Sequence, residues 1–315
     1  MFDTVNFQLY RDNISEGNTF EILPYLANVK EQRNKNGVPY LNGTVFDYHV
    51  NIYNHVIFFS GSLCKSFFGN NIQTLTRQAT QQAFEKLSDT LHTDLTAAKV
   101  TRLDVSTVIP TKRPPADYYH FLGTKPRFER VQSTPDTLYY KTKQRELTFY
   151  DKTKEATAKG VQIPDIWQNS NLFRYELRYK KHLNKQLHSD LTAAILYDEA
   201  FYYNVIQNWH NEFKKIQKLK EQSFMMDNIT TPKEAVMVFF ASLLQQSEEI
   251  LQQSGQILIT DFLNGLKAKK MFSDRKYYTR VKNDLNKILE APKGTKSELI
   301  KELETAIFDI AKYAR

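Results

Sequence analysis

The sequence predicts an α+β protein in which a mostly antiparallel sheet packed with helices is followed by an all-helical C-terminal region. Up to about residue 179, apolar and polar residues repeatedly alternate, which is the two-residue period of strands with one buried face. After about residue 191, apolar residues recur every three to four positions, which is the period of helices. This change of period predicts two domains, 1–190 and 191–315.

Five N-terminal segments carry the alternation and are predicted strands: 5–10, 48–59, 101–109, 145–150 and 172–179. Between the second and third of them, apolar residues recur every four positions along 74–91, which predicts an amphipathic helix lying on the sheet. Five prolines in 110–135 predict an irregular excursion with a short helix around Tyr118. A second loop is predicted over 156–170.

The C-terminal region has the pattern of consecutive helices. An apolar stripe at helical spacing runs through 191–216. Pro232 is a favourable first residue for a helix, and the nearly all-apolar run 236–244 predicts that this helix is buried on most sides. Further helices are predicted over 256–270, 274–290 and 296–313.

The composition indicates a globular protein that meets a polyanion. Lys and Arg number 43 against 35 Asp and Glu, which gives a net charge of +8 and points to nucleic acid before other partners. Hydrophobic residues make up 41%, which excludes a disordered chain. The sequence contains neither G-x-x-x-x-G-K-[ST] nor G-x-G-x-x-G, so it gives no indication of a nucleotide-binding loop.

The single cysteine and the absence of long apolar runs indicate where the protein works. Cys64 alone excludes an internal disulfide and a cysteine-based zinc site, and it fits a reducing compartment. The first residues lack the basic and apolar regions of a secretory signal. The longest apolar run, 235–244, is too short to span a bilayer. We expect a cytoplasmic protein without a membrane partner.

Three predicted strands carry reactive side chains on the face opposite their apolar one, because side chains alternate across a strand. The polar faces hold Arg102 and Asp104 on the first strand, Tyr150 on the second, and Arg174, Glu176 and Arg178 on the third. If the three strands share a sheet whose apolar face packs on helices, Asp104, Tyr150 and Glu176 project from one polar surface.

This set of residues is suited to phosphodiester chemistry. Carboxylate oxygens of Asp104 and Glu176 suit a hard ion such as Mg²⁺ or Mn²⁺. The guanidinium groups of Arg102, Arg174 and Arg178 can bind phosphates in a bidentate manner. The same pattern also fits exposed sheet faces whose arginines and acids form cross-strand ion pairs, and alternation alone does not choose between the two.

In order and spacing, these residues resemble the filamentous-phage gene II/X replication proteins and the related plasmid rolling-circle replication initiators. The segments that carry the resemblance are TRLDVS (101–106), LTFYDKTKE (147–155) and LFRYELRYKKHL (172–183). They match an R-[IL]-D strand, a strand ending in Y-x-K-x-x-E, and an R-[FYV]-E strand followed by basic residues. Two further segments, 55–71 and 276–283, are similar to other parts of the phage proteins. The resemblance implies a replication-initiator nuclease-like fold for 1–190.

The resemblance also implies an activity: metal-dependent, site-specific nicking and rejoining of DNA through a 5′-phosphotyrosyl intermediate. Tyr150 matches the nucleophile, Asp104 and Glu176 match the acidic metal positions, and Lys152 and Glu155 match the Y-x-K-x-x-E pattern. The implied cofactor is Mg²⁺ or Mn²⁺. Related plasmid initiators often have a second acid after the R-x-D strand, but 105–110 contains none, so a third metal ligand is not identified.

The partners implied are the double-stranded origin, single-stranded DNA, a host helicase and a single-strand-binding protein, in the cytoplasm of a bacterial host. The histidine-hydrophobe-histidine motif of many other rolling-circle nucleases is absent. His49 and His55 lie six residues apart on the predicted strand 48–59 and would share a face. Either could complete a metal shell, but a surface or core-edge position is the commoner role of such a histidine, so neither is assigned to the site.

The helical domain 191–315 is expected to bind the origin or a partner through 267–282, where basic and aromatic residues interleave. The basic candidates are Lys269, Lys270, Arg275, Lys276 and Arg280, which would meet phosphates while nearby aromatic rings stack on unpaired bases. The alternative is a solvated helix face with Tyr278, Val281 and Leu285 in the core.

Two other functions remain open from the sequence. One is an origin-binding initiator or regulator that does not cut DNA. The other is a tyrosine recombinase, which needs an arginine and histidine constellation and no metal, but no His-x-x-Arg pair stands suitably before a late tyrosine. The sequence indicates neither the oligomeric state nor whether the replicon is a phage or a plasmid.

Overall fold

The computed structural model describes 1–10, 21–187, 189–221, 274–290 and 295–314, with 237, 260, 262–268, 270 and 272. Contacts divide the chain into two compact units, one of 1–217 with 301–315 and one of 218–300. The predicted division at 190/191 into a catalytic and a binding domain stays a prediction. The helix predicted to start at Pro232 lies outside the described residues, apart from position 237.

Within the described residues, the first unit is built on a ten-stranded sheet in which every strand pairing is antiparallel. Its strands are β1 (Phe2–Tyr10), β2 (Ala27–Arg33), β3 (Pro39–Val45), β4 (Tyr48–Ile52), β5 (Val56–Ser60), β6 (Lys99–Thr111), β7 (Glu129–Thr134), β8 (Thr137–Lys141), β9 (Arg145–Asp151) and β10 (Asn171–Tyr179). Their order across the sheet is β2-β3-β4-β5-β1-β6-β10-β9-β8-β7.

Helices follow the sheet in the C-terminal part, so the predicted α+β class is confirmed. Along the whole described part of the chain, the α-helices with both ends described are α1 (Leu63–Phe68), α2 (Arg77–Leu91), α3 (Pro115–Tyr119), α4 (Lys152–Ala158), α5 (Leu183–Leu187), α6 (Glu199–Lys214), α7 (Arg275–Glu290) and α8 (Glu298–Tyr313). In the second unit, β11 (Lys220–Glu221) pairs with β12 (Thr295–Lys296), a two-residue ladder that the all-helical prediction lacks. Among the described residues, no helix is long and apolar enough to cross a bilayer.

Aromatic side chains hold helices against one face of the sheet. Trp209 of α6 stacks on Tyr175 of β10 at 4.6 Å between ring centroids, and Tyr175 stacks on Phe149 of β9 at 4.7 Å. Phe84 of α2 contacts Phe7 of β1 on the same face. Each fully buried large apolar side chain contributes about 1.5–3 kcal/mol. Because this face is covered by helices, the polar side chains of β6, β9 and β10 lie on the opposite face.

The predicted strand 48–59 is wrong as a single element, because the structure divides it into the hairpin β4–β5. The Tyr53 N–H donates to the Val56 carbonyl oxygen at 2.9 Å and closes the turn. Buried positions are even-numbered before the turn and odd-numbered after it. His49 therefore lies in β4 and His55 in the turn, so the shared face predicted for them is also wrong.

The excursion predicted over 110–135 is correct in its short helix, α3, but it misses a strand. β7 lies there at the edge of the sheet, and nearly all of its residues are exposed. An edge strand with both faces in solvent has no apolar alternation, so the pattern carries no signal for it. The helices predicted over 274–290 and 296–313 are confirmed as α7 and α8, and 262–268 is helical within the predicted 256–270.

Candidate active site

The register of β10 with its two neighbours brings the predicted site residues together. Arg178 lies opposite Asp104 of β6, and Arg174 lies opposite Tyr150 of β9. Directly opposed residues of antiparallel strands point to the same face, and Glu176 lies between the two arginines on that face. The structure therefore places Asp104, Tyr150 and Glu176 on one surface of the sheet, as the alternation predicts.

These side chains line a cleft of about 480 Å³, which we call the catalytic cleft. Of the residues predicted from the sequence, its lining contains Arg102, Asp104, Tyr150, Glu155, Glu176 and Arg178. Residues that sequence reasoning did not include also line it, among them Asp3, Asp47, His49, Lys65, Asn71 and Lys159. The cleft thus combines five carboxylates with a similar number of cations around one tyrosine.

A β-bulge explains why Asp3 escapes sequence analysis. Phe2 pairs with Val105 and Val5 pairs with Leu103, so β1 has one residue more than β6 in this stretch. Simple alternation from Val5 would place Asp3 on the apolar face, whereas the extra residue turns it to the cleft. Asp3 is buried there and accepts a hydrogen bond from Ser62 Oγ at 2.6 Å.

Asp104 is fully buried between two arginines. Arg102 donates to both of its carboxylate oxygens, at 3.0 and 2.6 Å, and Arg178 Nε lies 3.7 Å from Oδ2. Burial raises the pKa of Asp104, and the neighbouring charge of Glu176 raises it further, against the hydrogen bonds from Arg102. The negative charges of Asp104 and Glu176 therefore repel each other, and a bound cation would reduce that repulsion.

Glu176 is nearly as buried as Asp104 but is held in the charged state. Arg178 Nε donates to it at 2.7 Å, and Arg174 Nε lies 3.8 Å away. Burial would raise the pKa of Glu176, but the positive charges of Arg178 and Arg174 outweigh it and lower the pKa. Of the two acids, Glu176 is the stronger.

Tyr150 is half-buried beside the fully buried Arg174. Burial raises its pKa well above 10, and the positive charge of Arg174 opposes that rise. The Arg174 guanidinium donates to the Asp3 carboxylate, to the Asn71 carbonyl oxygen and, at 2.7 Å, to Ser106 Oγ. Arg174 is 2% exposed, so its charge lies beside Tyr150 inside the protein and does not face solvent.

Lys152 and Glu155 follow Tyr150 because strand β9 runs directly into helix α4. The Asp151 side chain caps that helix by accepting from the Lys154 N–H at 2.9 Å. Lys152 Nζ donates to Glu155 at 2.5 Å and to Asn71 Oδ1 at 2.7 Å. Lys152 is buried behind Glu155, and burial lowers its pKa. Glu155 thus lines the cleft, and the buried ammonium group of Lys152 binds its carboxylate.

The other predicted DNA-binding residues fall into two groups. Arg102 and Arg178 have side chains 37% and 28% exposed, so both can meet a phosphate in the cleft. Lys270, Arg275, Lys276 and Arg280 are exposed in the second unit, the last three on α7. Lys269 lies outside the described residues. Tyr278 is half-buried there, and its hydroxyl accepts from the Phe272 N–H at 3.0 Å.

Asp104 and Glu176 have donor atoms that fit a divalent ion. Mg²⁺ is usually held by one or two carboxylates, with water and substrate phosphates completing its shell. Two crowded carboxylates beside one cleft meet that requirement, and an ion would compete with Arg102 and Arg178 for their oxygens. Within the described part of the chain, no three His, Cys, Asp or Glu side chains come together as a ligand group. The two acids are therefore the protein's candidate ligands.

Fold and site define an α+β protein with a charged, tyrosine-bearing cleft on the polar face of a large antiparallel sheet. The chain belongs to the family of filamentous-phage gene II replication proteins, because the family model for the N-terminal part of this replication-associated protein matches residues 1–212. The predicted family is thereby confirmed, and the match covers every residue of the catalytic cleft. No curated protein matches the chain.

Proposed function

We propose that this protein is a rolling-circle replication initiator that nicks and rejoins DNA through a 5′-phosphotyrosyl intermediate on Tyr150. One observation carries the proposal: Tyr150, Asp104 and Glu176, from three separate strands, line a single cleft. Membership of a family of phage replication-associated proteins supports it. The substrate is one strand of the replication origin.

In the proposed reaction, Tyr150 Oη attacks the scissile phosphorus. A new phosphotyrosyl O–P bond forms, the bond from phosphorus to the 3′ oxygen breaks, and that oxygen takes up a proton to become a free 3′-hydroxyl. Because the pKa of Tyr150 is raised, the phenol needs a base for its own proton. Glu155 lines the same cleft and is our candidate for that base.

Arg174 has a positioning and electrostatic role in this proposal. Its buried positive charge lies opposite Tyr150 and stabilises the developing phenolate. Asp3, Ser106 and Asn71 fix the guanidinium by hydrogen bonds, so it does not need to reorganise during the reaction. The sequence suggests that Arg174 contacts a phosphate, but in this proposal the more exposed Arg102 and Arg178 make that contact.

Asp104 and Glu176 would hold the Mg²⁺ or Mn²⁺ ion. When bound, such an ion polarises a phosphate and offsets the negative charge that develops on it. Arg102 and Arg178 would bind neighbouring phosphate oxygens in the cleft, since both side chains are partly exposed beside the two acids. The exposed cations of α7 are candidates for further contacts with DNA phosphates.

The covalent intermediate explains rejoining. The phosphotyrosyl bond conserves the energy of the broken phosphodiester, so attack by a 3′-hydroxyl on phosphorus restores the DNA strand and releases Tyr150. The free 3′-hydroxyl left by nicking primes synthesis. Since the sequence contains no nucleotide-binding loop, we propose that a host helicase and a single-strand-binding protein open the duplex.

The test is to trap the covalent adduct. Single-stranded oligonucleotides that tile the replicon encoding the protein are incubated with it and Mn²⁺, denatured, and the modified peptide is mapped. We expect an adduct on Tyr150 that is lost in Tyr150→Phe and kept in Tyr139→Phe. Tyr139 is a matched control because it lies opposite Thr148, one strand away on the same face.

The alternatives predict different outcomes of this experiment. An adduct on another tyrosine would reassign the nucleophile. A 3′-phosphotyrosyl linkage without a metal requirement would indicate a recombinase. Specific origin binding without any nick or adduct, by protein loaded with Mn²⁺, would establish a non-catalytic initiator instead.

A further inference from the structure

A second pocket in the first unit, of about 630 Å³, is strongly basic, and we call it the basic pocket. Three segments form it: the loop 125–128 before β7, the β8–β9 turn 142–145, and the end of α6. Its charged lining consists of Lys125, Arg127, Lys143, Arg145, Lys215 and Glu212. Five cations surround one carboxylate, and none of these residues lines the catalytic cleft.

Glu212, the acidic residue of the basic pocket, holds three of its cations in place but cancels only part of its positive charge. Glu212 is 4% exposed and binds Lys125 at 2.8 Å, Lys215 at 2.8 Å and Arg145 at 3.2 Å. A single carboxylate offsets one positive charge, so the pocket keeps a large positive excess. Arg127 and Lys143 are exposed and, among the described residues, have no acidic partner within 4.0 Å.

A chain of contacts connects the basic pocket with the catalytic cleft. Arg178, in the cleft, donates to Glu146 at 3.0 Å, and Lys180 Nζ donates to the same carboxylate at 3.1 Å. The Lys180 N–H donates to the Gln144 carbonyl oxygen at 2.9 Å, and Gln144 lines the basic pocket beside Lys143. Positive side chains therefore continue from the cleft, along the end of β10, to the β8–β9 turn.

The alternation of β9 shows how the two sites are related. Glu146 points to the face of the cleft, so its neighbour Arg145 points to the opposite, helix-covered face. The basic pocket therefore lies around the end of the sheet from the cleft. A polyanion that follows the positive side chains would leave the cleft past Lys180 and bend over the β8–β9 turn.

We propose that the basic pocket binds backbone phosphates of the DNA strand whose scissile phosphate lies in the catalytic cleft. This inference rests on the proposed function, and it adds a location and a ligand class that the cleft does not supply. A phosphodiester fits because guanidinium and ammonium groups bind phosphate oxygens without reading base sequence. An acidic peptide would meet the same charges, but the continuity with the cleft favours the DNA strand.

The test compares two double variants that remove the same charge. Arg127→Gln/Lys143→Gln removes two exposed cations of the basic pocket, and Lys30→Gln/Lys35→Gln removes two exposed cations near the far edge of the sheet. Binding of labelled single-stranded origin DNA is measured by fluorescence anisotropy over a range of salt concentrations. Thermal unfolding confirms that each variant is folded.

We expect the basic-pocket variant to bind long single strands about tenfold more weakly near 0.1 M salt. The slope of log affinity against log salt should fall by roughly 0.7 for each phosphate that the variant no longer binds, and the control should keep the wild-type slope. Shortening the oligonucleotide from one end should abolish the difference in affinity between the basic-pocket variant and the wild type, because the DNA then no longer reaches the pocket. The measurement is repeated with an oligonucleotide that carries a double-stranded flank. A loss of roughly 0.9 in slope per phosphate, instead of roughly 0.7, would indicate that the pocket binds duplex DNA.

Failure of this inference and failure of the proposed function are distinguishable. If the wild type nicks DNA but the two double variants have the same affinity as each other for DNA of every length, the basic pocket is not a DNA site. If wild type never nicks and only the basic-pocket variant loses affinity, the pocket stands and the proposed chemistry falls. Preferential loss of binding to an acidic peptide, with DNA binding unchanged, would also overturn the proposal.

Discussion

Arg174 lies directly opposite Tyr150 across the β9–β10 ladder, and its positive charge works against burial in setting the pKa of the phenol. Arg174 in turn is held by the buried carboxylate of Asp3. Arg174 and Asp3 would each be unfavourable alone in this position, since burying an unpaired charge costs several kcal/mol. In the proposed reaction, this buried ion pair would stabilise the anion of Tyr150.

We predict that Arg174→Gln lowers the nicking rate by about 100-fold or more, because the developing phenolate loses its positive neighbour. The same change should destabilise the fold by about 3–5 kcal/mol, since it leaves the Asp3 carboxylate buried without its partner. Nicking is measured on a short oligonucleotide at saturating protein, and stability by urea denaturation.

A double variant separates these two effects. In Arg174→Gln/Asp3→Asn both charges are gone, so we expect most of the lost stability to return while nicking stays slow. If the double variant regains wild-type nicking together with stability, Arg174 is a structural residue and not a support for Tyr150.

The second prediction concerns metal binding by Asp104 and Glu176. Mn²⁺ should raise the unfolding temperature of the wild type in a concentration-dependent way, by the equivalent of about 2.7 kcal/mol at 100 times its dissociation constant. Asp104→Asn and Glu176→Gln should remove this shift, and EDTA should abolish nicking by the wild type. Asp165→Asn, an exposed change outside the cleft, is the control. An equal shift in all four proteins would place the ion elsewhere.

The sequence predicts the centre of the site well, because its three strands alternate without interruption. Counting in twos along β6, β9 and β10 is enough to put Asp104, Tyr150 and Glu176 on one face, and the antiparallel register then brings them together. Alternation gives the face of a side chain but not its depth. Arg174 is buried and donates to the carbonyl oxygen of Asn71, far along the chain, so its burial cannot be predicted from its own strand.

The surroundings of the site could not be predicted, for identifiable reasons. Asp3 reaches the cleft through a β-bulge that moves it to the other face of β1. His49 reaches the cleft because the strand order places β4 and β5 beside β1, which the pattern of β4 alone does not indicate. The basic pocket joins a loop, a turn and the end of a helix, so no single periodic segment contains it. Such features depend on tertiary contacts between segments whose patterns are unrelated.

The third prediction concerns Gly61, which lines the cleft between β5 and α1. A Cβ at this position would lie 2.9 Å from Tyr48 Cα and closer still to the Asp47 carbonyl oxygen. Both are backbone atoms and cannot turn aside, so we expect Gly61→Ala to cost about 1–3 kcal/mol of unfolding free energy. Gly265→Ala, where an added Cβ meets nothing within 4 Å, should leave stability unchanged or slightly higher. Equal stability of the two variants in urea would contradict this close approach of the two backbone segments.

The last prediction is the pH dependence of the Glu212–Lys125 pair. Burial would raise the pKa of Glu212, but hydrogen bonds from Lys125 and Lys215, with the charges of Lys125 and Arg145, outweigh it and lower the pKa. A carboxyl group with a lowered pKa in the folded state stabilises the protein above its unfolded pKa of about 4.3. That stabilisation is lost as the pH falls through the lower folded value.

Glu212→Gln should therefore reduce the free energy of unfolding by about 3–5 kcal/mol at pH 7, because it leaves Lys125 buried without its anion. The difference from wild type should shrink as the pH falls below the unfolded pKa of about 4.3 and through the lower pKa of folded Glu212, where the wild-type carboxyl becomes protonated too. Urea denaturation at pH 7 and pH 3 measures both values, and Glu129→Gln on the exposed strand β7 is the matched control. A penalty of the same size at both pH values would mean that Glu212 acts through its shape and neutral hydrogen bonds, since only a charge effect vanishes when the carboxyl is protonated.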